Sequence, residues 1–202
     1  MEGKLQMDPV EQSFFNAPVL DLANQLLGQL LIHELPTGVL AGRIVETEAY
    51  RGPDDEAAHS FQNRRTKRTE IMYHKSGVAY TYQMHTHTLL NIVAGPINVP
   101  HAVLIRAVEP IYGREDMFIY RGEHINREIE LTNGPGKLTK AFQINMEYYG
   151  HPMTNAPLYI AKGKPAHKIE TSPRVGVRNS GEAANYLWRF YEKNNPFVSK
   201  FR

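Results

Sequence analysis

The sequence predicts a mixed α+β fold in a single domain, on three observations. Two segments in the middle of the chain read as β-hairpins and a strongly apolar strand follows them; helical spacing is confined to the two ends and to one short stretch after a glycine-rich turn. The 202 residues are 42% hydrophobic and 22% charged, the balance of a globular chain long enough to bury a sizeable core at single-domain size.

Residues 1–16 read as a loosely tied lead-in to a domain spanning 17–202. Pro18 to Leu27 has helical spacing, and Gly28 is placed to stop it. Gln29 to Leu35 and Val39 to Tyr50 flank Pro36-Thr37-Gly38, which is hairpin chemistry, and the second strand carries Glu48 toward a Gly52-Pro53 turn. A second hairpin is expected from Val78–Met84 and Leu89–Ala94 around a polar tip, His85-Thr86-His87-Thr88. His101 to Glu109 reads as a buried strand with Arg106 set in an apolar run. Burying an unpaired cation is costly, so an acidic group should lie against it. Asn133-Gly134-Pro135-Gly136-Lys137 reads as a turn opening a short helix over Leu138–Ile144. Its backbone N–H groups, with Lys137, could hold an anion such as a DNA phosphate. Glu182 to Tyr191 reads as a last helix that puts Leu187, Trp188 and Phe190 in the core.

Composition excludes several classes. There is no cysteine, hence no thiol chemistry; no apolar run approaches the roughly 18 residues of a membrane span, and the N-terminus lacks the features of a secretory signal. A soluble, cytoplasmic protein is expected. The net charge of +2 is too balanced to announce a nucleic-acid partner, although Arg64, Arg65, Lys67 and Arg68 form a local cluster able to bind phosphate. His85 and His87 raise a metal reading, but no cysteine and no His-Glu-x-x-His pattern accompanies them. No metal or organic cofactor is expected. Serine-hydrolase elbows, Walker loops and dinucleotide fingerprints are missing too.

The chemistry concentrates in Arg43 to His59, where Glu46, Glu48, Tyr50 and His59 fall on one strand and the turn after it. On a strand, Glu46, Glu48 and Tyr50 share a face. Sugar hydrolysis by a carboxylate pair needs the two groups facing each other across the scissile bond, and neighbours two apart on one strand cannot do that. One of the two glutamates is therefore expected to be structural.

These residues carry a resemblance. Gly42 to Ser60 resembles the alkyladenine (3-methyladenine) DNA glycosylase family, and the match continues in order through Gly77–Tyr82, Asn91-Ile92, Val103–Pro110, Asn133–Leu138, Pro173–Val177 and Trp188–Tyr191. The resemblance implies a curved, mainly antiparallel sheet with peripheral helices, and a monomeric base-excision enzyme acting on double-stranded DNA that contains damaged purines. It implies that Glu48 is the general base for water, aided by Arg106, whose charge favours the ionised carboxylate that a base requires. Tyr50 would stack on one face of a flipped base and His59 with Tyr82 on the other, while Asn91 borders the pocket. Alkylated purines that carry positive charge leave readily, so aromatic stacking and one carboxylate suffice for them. Neutral lesions such as hypoxanthine or ethenoadenine would need protonation or specific hydrogen bonds. No lysine is implied as a nucleophile, so no lyase step is expected. Phosphate contacts are expected from some of Arg64, Arg65, Lys67, Arg68 and Lys137. The sequence departs from the family at Gln83–Thr88, where the family's wedging tyrosine has no counterpart; His85 is the first candidate for that wedge and Met84 the second.

Overall fold

The computed structural model describes residues 7–200. The first helix, α1 (Val19–Gln25), is too short to persist alone and is held by burial of Val19, Leu22 and Ala23 in the main core. Gly28 ends this segment at φ +90°, and a Cβ there would meet the Lys164 carbonyl oxygen at 2.0 Å, so only glycine fits. Strands β1 (Leu30–Leu35) and β2 (Gly38–Arg51) form the first hairpin, followed by β3 (Ala79–Met84), β4 (His87–Ala94) and β5 (His101–Tyr112). Helix α2 (Arg114–Arg121) and helix α3 (Pro135–Ala141) come next, and β6 (Leu158–Ala161), β7 (Ile169–Ser172) and β8 (Arg189–Glu192) complete one eight-stranded sheet. Its main path runs β3-β4-β5-β2-β1-β6, with every pairing antiparallel.

Strand β2 is the spine. Along one edge it pairs with β5; along the other its first half pairs with β1, and Glu46 to Glu48 pair with β8. The exchange of partners lets β8 and the chain after it fold in behind the middle of β2. Register shifts between Ile44 and Glu46 and between Glu46 and Thr47 break the β2–β5 ladder, so that Ala107 and Ile105 are paired while Arg106 between them is not. Such a bulge re-aims a side chain, and here it turns the arginine toward both glutamates.

The two faces of β1 explain its unbroken apolar pattern. Leu31 joins the main core, while Leu30 and Ile32 pack with Ala41, Tyr159 and Ala161 in a second cluster. His33 at the end of that run is buried, with Nδ1 2.5 Å from the Phe142 carbonyl and Nε2 2.5 Å from the Tyr148 hydroxyl. A carbonyl only accepts, so Nδ1 carries the hydrogen and the tyrosine donates to Nε2.

Four expectations are corrected. The lead-in is not loose over its described part: Phe15 is fully buried, and the Val10 N–H bonds to the Ile160 carbonyl of β6. The second hairpin has a two-residue tip, His85-Thr86, because Met84 still pairs with His87; His85 takes a left-handed φ of 55°. Finally, Glu182–Tyr191 is not a helix. A 3-10 turn (Gly181–Asn185) leads into β8, whose alternation turns Phe190 to the core and Arg189 toward Glu46, and Leu187 stays exposed. Helix α3 also starts earlier than expected, with Pro135 in its first turn, where a missing N–H costs nothing.

Candidate active site

The main core covers one face of the sheet, and the other face opens as a pocket of about 180 Å³, on the scale of a single nucleobase. Its floor is an alternate-residue pattern repeated on adjacent strands: Tyr80, Tyr82 and Met84 from β3, Leu89 and Asn91 from β4, Ala102, Leu104 and Arg106 from β5, and Tyr50 from β2. Walls come from Ala57 and His59 in the loop after β2, from Pro135 at the start of α3, and from the turn Val175-Gly176-Val177. Asn91 is held by donating from its side-chain amide to the Tyr80 carbonyl at 3.0 Å.

The two glutamates are now distinct. Glu46 is fully buried behind the pocket. It accepts from Arg106 Nε, Arg189 Nε and both the N–H and the hydroxyl of Ser199, each at 2.7 Å. Burial opposes its charge, but the two guanidiniums outweigh that and hold its carboxyl below the usual range. Three of these donors fall on Oε1 and one on Oε2, which fixes the carboxylate in place beneath Arg106. Glu48 is equally buried and does not itself line the pocket, but it touches residues that do, with Oε1 accepting the Val175 N–H at 2.7 Å and Oε2 the Tyr50 hydroxyl at 2.8 Å. Arg106 Nη1 stands 3.3 Å from Glu48 Oε1, so one guanidinium joins the two carboxylates. The partner required for Arg106 is thus a pair of acids, and their charges push its pKa up despite burial.

The aromatic walls are electrostatically set. Burial raises Tyr50 well above the ordinary phenol value, helped by the adjacent Glu48, so its hydroxyl remains a donor. Burial likewise pushes Tyr82 up to about 12. His59 lies edge-on to Tyr82, ring centroids 4.7 Å apart, and its Nδ1 is 2.8 Å from the Tyr80 hydroxyl. Arg68 Nη2 is 3.2 Å from its Nε2, and a guanidinium only donates; Nε2 therefore accepts, and Nδ1 carries the hydrogen. Burial, with Arg68 and Arg64 nearby, lowers the imidazole pKa to about 4 and keeps it neutral at physiological pH.

Sequence reasoning missed four side chains that build the site. Tyr80 orients His59. Arg174 lies against Tyr50, 4.7 Å from the ring centroid, and forms a buried ion pair with Asp55. Arg189 and Ser199 lock Glu46. Pro173–Val177 carried a motif signal, but nothing local marks Arg174 as buried. Of the basic cluster, Arg65 is engaged by Glu70 and Arg68 packs over Tyr82, while Arg64 and Lys67 are exposed. Lys137 bonds to Asn133 Oδ1 at 2.8 Å. At the hairpin tip, Met84 is half exposed yet lines the pocket mouth, and His85 projects from the exposed turn. Among the described residues no group of three or more His, Cys, Asp or Glu side chains could hold a metal ion, and no helix is long and apolar enough to cross a membrane.

The profile of the methylpurine-DNA glycosylase family matches residues 13–196. A Bacillus licheniformis protein is 55% identical over 96% of this chain and 97% of its own, one from Bacillus subtilis 52% identical over 96% and 98%, and one from Listeria monocytogenes 43% identical over 95% and 92%; each is named for an inferred 3-methyladenine DNA glycosylase activity. The chain belongs to the methylpurine-DNA glycosylase family, and so to the hydrolases of N-glycosyl bonds.

Proposed function

We propose that this enzyme excises alkylated purines, and deaminated or etheno purines as well, from double-stranded DNA by flipping the damaged nucleotide into the pocket beside Glu48. The observation that carries this reading is the buried Glu48 carboxylate, held by Arg106, Tyr50 and the Val175 N–H, three residues that line an aromatic pocket of nucleobase scale. Tyr50 stacks on one face of the base, His59 and Tyr82 lie on the other, and Asn91 meets its edge. Glu48 takes a proton from water as the water oxygen bonds to the sugar C1′ and the bond from C1′ to the purine nitrogen breaks, its electron pair leaving with the base. A base already carrying positive charge departs neutral; a neutral base must gain a proton as it leaves. Without a nucleophilic lysine the products are free base and an abasic site in an unbroken strand.

His85, with Met84 beside it, fills the gap left in the duplex, and cations from the set Arg64, Arg65, Lys67, Arg68 and Lys137 hold the phosphates. The enzyme works as a cytoplasmic monomer, on DNA of the nucleoid. The test is release of free base from duplexes carrying 7-methylguanine, hypoxanthine or ethenoadenine, with and without a chelator. Release that a chelator leaves unchanged supports the proposal; binding without release from any of the three contradicts it.

A further inference from the structure

We infer that Arg68 sets the charge preference of the pocket: it is a specificity-determining residue that disfavours purines carrying a fixed positive charge relative to neutral ones. The inference rests on the glycosylase reading above. The Arg68 guanidinium lies 4.5 Å from the centroid of the Tyr82 ring. Tyr82 borders both the base pocket and a second groove; Arg68 lines that groove with Lys67, Met146 and Tyr149, and a third cavity beside His59, but not the base pocket. The cation is therefore behind the ring on which the base stacks. Its Nη2 also touches His59 Nε2 at 3.2 Å, so the same charge stands against both aromatic groups on that side of the slot.

Three other arginines at the site are compensated by acids, and Arg68 is not. Arg65 is paired with Glu70, Arg174 with Asp55, and Arg106 with Glu46 and Glu48; among the described residues no carboxylate pairs with Arg68. A cationic purine would be drawn to the Tyr82 face and at the same time repelled by a guanidinium one ring-thickness beyond it, through protein rather than water. A neutral purine meets no such repulsion. Arg68 is exposed on its groove side, so solvent screens part of the effect, and a change of about fivefold in selectivity is the expected scale.

The experiment measures single-turnover release of 7-methylguanine, cationic in DNA, and of hypoxanthine, neutral, from otherwise identical duplexes at saturating enzyme. Arg68→Gln and Arg68→Met are each expected to raise the ratio of cationic to neutral release about fivefold. Arg68→Lys, which keeps the charge, is expected to stay near the parent ratio. Two neutral variants guard against a folding defect in either one. An unchanged ratio in both, or equal losses on both duplexes as a phosphate contact would give, overturns the inference and leaves the glycosylase reading intact. A parent enzyme that releases neither base overturns that reading itself.

Discussion

Glu46 and Glu48 stand two residues apart on one strand face, and their neighbours give them opposite fates. Four donors enclose Glu46, two of them guanidiniums, so its carboxylate is a fixed counter-charge beneath Arg106. Replacing it by glutamine leaves two buried cations with one acid fewer. Glu46→Gln is expected to cost about 3–5 kcal/mol, read as a lower urea midpoint at unchanged slope, and a loss under about 1 kcal/mol would contradict this. The imidazoles give a pH signature. His33 is held below its usual value by burial, and His59 is lowered to about 4 by burial and then by Arg68. The unfolded chain binds protons first, so stability is complete above about pH 6.5 and falls as pH drops toward the folded values. Denaturant midpoints measured from pH 7 to 4 should decline, and less steeply in His59→Asn; parallel curves would remove His59 from the account. Strand geometry put the two glutamates on one face in the sequence, and the family resemblance singled out Glu48. The partners that settle Glu46 were not legible there, since Arg189 and Ser199 come from 143 and 153 residues away.

At the scale of elements, the hairpins were readable because their turns and alternating apolar positions are local signals. The end of the chain was not. Leu187, Trp188, Phe190 and Tyr191 are spaced as on a helix face, and pairing with β2 beside Glu46 and with β7 turns Arg189–Glu192 into a strand. Likewise the bulge that aims Arg106 leaves no mark in the apolar run around it. The hairpin tip carries the prediction at this level. With only His85-Thr86 beyond the last pair, the wedge is short and small, and His85→Ala is expected to weaken binding to a lesion-bearing duplex about tenfold, near 1.4 kcal/mol. Met84→Ala is expected to weaken it less, because Met84 faces the pocket mouth. Fluorescence titration checks both; if His85→Ala leaves affinity and excision unchanged, the wedge is not His85.

Across the whole molecule, one sheet does two jobs. Its inner face packs against α1 and the main core, and its outer face presents the pocket from four adjacent strands. The chain after β8 returns to place Ser199 on Glu46, so the last described residues complete the support beneath Arg106. That order of strands was not legible, because pairing such as β2 with β8 joins segments far apart in sequence, whereas the run of motifs from Gly42 to Tyr191 was. On the proposed function, Glu48 activates the water while the rest of the pocket binds the base. The direct measurement compares Glu48→Gln with the parent in single-turnover release of hypoxanthine from duplex DNA, with affinity for the same duplex measured alongside. The expected result is affinity within a few-fold of the parent and release reduced at least a hundredfold, the scale of general-base catalysis. Release at the parent rate would contradict it.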